Sequence, residues 1–255
     1  MPESFKHESF TKARQWLQEC DGILVAAANG FSMAEGFAIL KNSPWFASNF
    51  ADFQKQYGFA APIQALFYPY PDAKEFNKFY SRLIRLIHYE KPVAAVMKDL
   101  QTLTAKKPVF ILTTNIEERF VQAGYPEASV FYLEGRLTHT ASHQPLAKAE
   151  LGSIGSLQDL EVSGYPYSEA FHKKMDDLNR FVNSHPRLLI LELGVSAQNQ
   201  FLRPILNQIL QADPYARLIE LNLISNPQNP AFQNRILQIS GDLSENLHRL
   251  KDWNA

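Results

Sequence analysis

Cysteine is almost absent from this chain. A single one, Cys20, occurs in 255 residues, which excludes internal disulfides and any metal site built from several thiolates. A surplus of basic charge is also missing. The formal net charge is -1, so the electrostatic footprint of a nucleic-acid binder is not there. No apolar run reaches the ~20 residues that a bilayer span needs. The first residues, "MPESFKHESFTKARQWLQEC", hold no apolar block of the signal-peptide kind. The expectation is a cytoplasmic protein with no membrane and no nucleic-acid partner. What remains is ordinary globular composition, 45% hydrophobic and 20% charged. The length suits one main domain with a smaller attached piece.

The apolar pattern alternates between strand-like and helix-like segments. Residues 8–20 read as an amphipathic helix with Phe10, Ala13, Leu17 and Cys20 on one face and Ser9 or Thr11 as a cap. Cys20 is expected to be a small buried apolar residue. Buried-strand runs are read at 22–28, 107–115, 129–135, 186–194, 216–223 and 235–240. Helices are read at 33–40, 73–89, 93–104, 117–124, 168–184, 199–211 and 243–251. Such alternation predicts an α/β fold with a parallel sheet. Two stretches break it. Residues 41–72 are aromatic and punctuated by Pro44, Pro62, Pro69 and Pro71, and read as short helices and loops capping the core. Residues 136–168 are polar and read as loops or a small subdomain. The expected division is a core from 1–40, 93–135 and 186–255, with a cap or subdomain from 41–92 and 136–185.

Ligands of open parallel sheets lie beyond the carboxyl ends of the strands. Small or polar residues gather at five such ends here: 29–32, Thr114-Asn115, Gly194-Val195-Ser196, Asn222 and Gly241-Asp242. Each has two readings. Gly30 either lets the backbone approach a pyrophosphate at a helix start or supplies a turn with positive φ. Asn115 either holds a ribose hydroxyl or an ordered water, or caps the next helix. Asn222 and Asp242 contact an adenosine, or are cap and turn residues. His139 and His143 have i, i+4 spacing, but "THTASHQPL" is a poor helix and no third ligand is evident, so no metal is expected. The aromatic cluster Trp45, Phe46, Phe50, Phe53, Tyr57 and Phe59 is read as packing between cap and core, or as an apolar wall of a pocket.

Read together, "ANGFSMAEG" (28–36), "TTNIEERFVQAG" (113–124), "GVS" (194–196), "LIELN" (218–222) and Gly241-Asp242 resemble the ordered motifs of the sirtuins from about residue 8 to 251. "FYPYPDAKEFNKFYSRLI", "TTN" and Arg203-Pro204 after "ELGV" are similar to the macrodomain-linked microbial branch, whose members are protein ADP-ribosyltransferases acting on a lipoyl-carrying protein related to the glycine-cleavage carrier. The resemblance implies a Rossmann-like parallel sheet with helices on both faces and a small, mostly helical cap. It implies NAD as cofactor, held by Ala28, Asn29, Gly30, Ser32, Glu35, Thr114, Ile116, Glu117, Gly194, Val195, Ser196, Asn222, Asp242 and Leu243. Asn115 and Glu134 are the expected catalytic residues. A protein substrate, a lipoylated carrier and a macrodomain protein are the implied partners.

Four departures shape the expected activity. A deacylating sirtuin carries a strand-end His in "LHG"; this chain reads "LEG", with Glu134 in that place. A carboxylate cannot serve as an imidazole that begins neutral and ends cationic, but it can orient a ribose hydroxyl or stabilise developing oxocarbenium charge. The four-Cys zinc ribbon is missing. So is the Arg that follows the first motif, with Leu40-Lys41 nearby, and the third motif continues as "SAQNQ". Transfer of ADP-ribose to a protein is therefore the leading expectation. NAD-dependent deacylation and non-catalytic NAD or ADP-ribose sensing are the alternatives.

Overall fold

The computed structural model describes residues 3–253. Six strands form one parallel sheet in the order β3-β2-β1-β4-β5-β6. The strands are β1 (Gly22–Ala27), β2 (Val109–Thr113), β3 (Val130–Tyr132), β4 (Leu188–Leu193), β5 (Arg217–Asn222) and β6 (Ile236–Ser240). Every strand read from the apolar runs is present. β1 and β4 are buried along their whole length, which is why both read as continuous apolar segments rather than as alternation. The chain winds outward from β1 in both directions, so the strand order reverses between β1 and β4.

Helices cover both faces. On one side α1 (Glu3–Glu19), α6 (Ala95–Thr104) and α10 (Leu243–Leu250) pack on Ile23, Val25 and Ala27 of β1. On the other, α8 (Glu169–Ser184) and α9 (Leu202–Ala212) pack on Leu24 and Ala26. Phe10, Ala13, Leu17 and Cys20 are all buried, as the helical spacing predicts. Burial also raises the Cys20 thiol to about 11, so it stays protonated. Neither Ser9 nor Thr11 caps α1, because the helix already starts at Glu3; Thr11 Oγ1 instead donates back to the His7 carbonyl at 3.0 Å. Among the described residues no helix is long and apolar enough to cross a membrane.

A third apolar cluster joins the aromatic stretch to the polar one. It draws on α3 (Pro44–Tyr57), α4 (Pro62–Leu66) and α5 (Ala73–Ile84), and on Leu137, Leu146, Leu151, Ile154 and Leu160. Phe46, Phe50, Phe53 and Phe79 are fully enclosed there. Residues 136–168 have no regular helix; short 3-10 turns and two isolated bridges shape them.

One helix differs from the sequence reading. The segment after β1 was expected to turn at Asn29-Gly30 and become helical at 33–40. Instead α2 begins at Asn29 and ends at Ala34, and Gly36 breaks it at φ +92°. Gly30 is not a positive-φ glycine. Its place is dictated by crowding: a Cβ there would lie 2.5 Å from Gly194 Cα, and one on Gly194 would lie 2.4 Å from Gly30 Cα. Gly30 N also donates to Gly194 O at 3.0 Å. The two strand-end turns thus touch through bare backbone. Gly30→Ala is expected to cost about 1–3 kcal/mol of stability, the usual range for overpacking, read as a lower urea midpoint at unchanged m-value.

Candidate functional site

A cleft of about 410 Å³ runs across the carboxyl ends of β1, β4, β5 and β6. Ala28, Asn29 and Gly30 form one wall, Gly194 and Ser196 the floor, and Asn222, Gly241, Asp242 and Leu243 the far side. The cleft lies where the strand order reverses, the position expected for a dinucleotide in such a sheet. Its shape is held by backbone acceptors. The Val195 carbonyl receives Arg203 Nη2, Asn222 Nδ2 and Asn226 Nδ2, each at 2.9 Å. Arg203 in turn forks onto Glu192 at 2.6 and 2.7 Å. Glu192 is fully enclosed in β4, and burial pushes its carboxyl up to about 7 even though the Arg203 charge opposes the shift.

The donors expected for a phosphate are partly spent. Gly30 N and Phe31 N bond to the carbonyls of Gly194 and Ala28, and α2 has only six residues. The polar groups facing the cleft are instead side chains: Asn29, Ser196, Asn199 and Lys41. Among the described residues Lys41 is the one cation lining it. Asp242 accepts from Glu245 N at 2.8 Å and caps α10, and Asn222 Oδ1 accepts from Leu223 N at 2.9 Å. Both therefore act as cap or turn residues while also facing the cleft.

Behind this cleft, at the ends of β1 and β2, lies a buried polar cluster. Asn115 does not cap a helix. Its Nδ2 donates to the Ala28 carbonyl at 3.2 Å, and its Oδ1 is buried with no partner. Glu117 is wholly enclosed with neither carboxylate oxygen at hydrogen-bond geometry. Desolvation raises its carboxyl, and the nearby Ser32 side chain offsets only part of that. Glu35 is buried beside it, 3.5 Å from Arg119 Nε. Burial pushes Glu35 up to about 7, with the Arg119 charge opposing and the Glu117 charge adding to the rise. Arg119 is anchored by the carbonyls of Ile87, Lys91 and Pro92 at 3.3, 3.0 and 2.7 Å. Ile116 and Glu117 also border an apolar cavity of about 20 Å³, walled by Phe37, Trp45 and Leu137.

Glu134 follows β3. It is half-buried, and among the described residues it makes no hydrogen bond or ion pair. Burial raises its carboxyl first, and the charge of Glu117 adds to that.

No protein-family model matches the chain. A Sir2 homologue solved with NAD superposes with a TM-score of 0.59 at 14% identity, over 95% of this chain and 92% of that one. A Sir2 structure with a propionylated peptide gives 0.58 at 15%, over 96% and 98%. The fold is the one these Sir2 structures share. A protein ADP-ribosyltransferase of Staphylococcus aureus (strain Mu50 / ATCC 700699) is 25% identical over 264 residues, covering 91% of this chain and 83% of the relative.

Within this sirtuin-like fold, the structure divides the sequence-derived site residues into two groups. Ala28, Asn29, Gly30, Gly194, Ser196, Asn222, Asp242 and Leu243 line the cleft. Ser32, Glu35, Asn115 and Glu117 belong to the buried cluster, with Ile116 at the small cavity. Thr114 sits between them, its hydroxyl 3.4 Å from Asn199 Nδ2. Val195 contributes its carbonyl only, since its side chain is in the core. Met33, Leu40, Lys41, Asn199 and Leu223 of the cleft, and Arg119 of the cluster, are additions. The proximity of Lys41 to the first motif was a usable signal; Arg119 reads in sequence as an ordinary helix-face charge. His139 and His143 share no metal-like arrangement: His143 Nδ1 meets Glu161 at 3.0 Å, and His139 Nδ1 lies 3.2 Å from Thr138 Oγ1.

Glu35 gives a pH test. Its folded carboxyl holds a proton more tightly than its ordinary value of 4.5 allows. The associated stability is present in full below that value and is lost as pH rises through about 7. Glu35→Gln is expected to flatten this fall, so that the variant gains most in Tm over the wild type at pH 8 and least at pH 4, measured by thermal melts across that range.

Proposed function

We propose that this protein cleaves the nicotinamide–ribose bond of NAD and transfers ADP-ribose to a protein acceptor. The observation that carries the reading is the half-buried, unpaired Glu134 at the end of β3, where a deacylating sirtuin has an imidazole. The similar staphylococcal protein is named for the same activity, and the superposable Sir2 homologue was solved with NAD.

The residues present fit the dinucleotide. Buried polar atoms without partners, Asn115 Oδ1, Glu35 Oε1 and both Glu117 oxygens, each carry a cost of roughly 1–3 kcal/mol that a ligand can relieve. The backbones of Gly30 and Gly194 touch, which brings the ends of β1 and β4 together at the edge of the cleft. In this reading Asn29, Ser196 and Lys41 hold the pyrophosphate, and Asn222, Asp242 and Leu243 border the adenosine. Asn115 and Glu117 face the nicotinamide end, beside the apolar wall of Phe37, Trp45 and Ile116.

NAD, when bound, supplies an activated glycosidic bond. The chain supplies a fixed anion at Glu134, which favours positive charge beside it in a site shielded from water. In its ionised form the Glu134 carboxylate also accepts a proton from an incoming nucleophile. The Asn115 side chain, tied to the Ala28 carbonyl, presents its free acceptor in one orientation. By family resemblance the acceptor is a lipoylated carrier of the glycine-cleavage type, with a macrodomain protein as partner.

Labelled NAD tests this. The wild type is expected to release nicotinamide and label a lipoylated carrier protein. Glu134→Gln is expected to lower turnover by about 10²–10³, the range for loss of one electrostatic group in an active site, with NAD affinity nearly unchanged by calorimetry. Binding without any nicotinamide release would instead identify a sensor. Acyl-lysine hydrolysis by the wild type would identify a deacylase.

A further inference from the structure

A second concentration of charge lies outside the cleft, around Arg136. Arg136 is buried and serves three carboxylates. Its Nε and Nη2 reach Glu161 at 2.8 and 3.0 Å, and its Nη1 reaches Glu127 at 2.7 Å and Glu118 at 3.4 Å. Glu118 also accepts from Thr138 Oγ1 at 2.5 Å. Around it stand His88 and His139, each with Nδ1 3.7 Å from a Glu118 oxygen.

The ends of this network are as informative as its middle. Glu118 follows Glu117 directly and lies three residues after Asn115. Arg136 and Thr138 lie two and four residues after Glu134. Both turns are in the left-handed region, Glu118 at φ +60° and Gly135 at φ +76°. A glutamate there is unusual and persists only where its surroundings hold it. The backbones are joined too, through Leu137 N to the Ile116 carbonyl at 3.1 Å.

We propose that Glu118, held by Arg136 and Thr138, is a positioning residue that sets the Asn115–Glu117 turn against Glu134. One ionic node thereby aligns the ends of β2 and β3 without a metal. Its catalytic meaning rests on the function proposed above; the mechanical coupling does not.

Thr138→Val on the full chain tests the coupling, because it keeps the side-chain shape and removes the one hydroxyl donated to Glu118. Amide hydrogen exchange is expected to rise about tenfold in both 115–119 and 134–137, with α8 and α9 unchanged, as for a local opening. Glu118→Gln, which keeps an acceptor for Thr138 but loses the charge facing Arg136, is expected to loosen the same two segments less. Exchange that stays unchanged, rises in only one segment, or rises throughout the chain overturns the coupling. In the kinetic readout, Thr138→Val is expected to lower kcat for nicotinamide release about tenfold, with KM for NAD within about twofold. Unchanged kcat, or equal loss in both parameters, overturns the positioning role. A wild type that releases no nicotinamide defeats the proposed function and leaves hydrogen exchange to decide the coupling.

Discussion

The contact between Gly30 and Gly194 is the constraint on which the site depends. Two strand-end turns meet there with no side chain between them, joined by one backbone hydrogen bond. Any larger residue would force the ends of β1 and β4 apart. Because they meet, α2 starts at once after β1, the Val195 carbonyl is directed at Arg203, Asn222 and Asn226, and the cleft opens above the point where the strand order reverses. The same closeness consumes the N–H of Gly30, so the cleft presents Lys41 and neutral polar residues. A charge-poor cleft of this kind suits a ligand whose two phosphates are bound by shape and several weak donors rather than by a cluster of arginines.

The second determinant is polar burial without satisfaction. Native proteins pair nearly all buried polar groups. Here Glu35, Asn115, Glu117 and Arg119 leave atoms unpaired in one small volume. Arg119 is fixed by three backbone carbonyls, so it cannot swing to satisfy both acids. The cost is borne by the apolar packing of two clusters, Phe37, Trp45 and Leu137 in one and Phe31 and Phe120 in the other. Such stored polarity is the usual mark of a site built for a ligand. Arg136, by contrast, is well paired, with Glu118, Glu127 and Glu161 all within reach of its guanidinium.

Much of the architecture was legible because the central strands are buried on both faces. "GILVAA" and "LLILEL" admit few other readings. The segment after β1 was misread for a physical reason. Asn-Gly carries a strong local turn signal, yet Gly30 is required by the backbone of Gly194, a residue 164 positions away in sequence. Local propensity cannot report such a neighbour. The cleft residues at the five motifs were legible because strand ends in a parallel sheet share one edge. Met33, Leu223 and Arg119 were not, since nothing in their immediate sequence marks the side they face.

By itself the sequence determined the parallel α/β core and the line of polar strand ends, both of which follow from local pattern and residue chemistry. Only the tertiary structure decided that Asn115 leaves its oxygen unpaired rather than capping a helix, that Glu35 and Glu117 share a buried site with Arg119, and that Arg136 gathers carboxylates from three separate segments. Those outcomes depend on which side chains lose water together. Desolvation is a property of the packed neighbourhood, and the order of residues along the chain does not contain it.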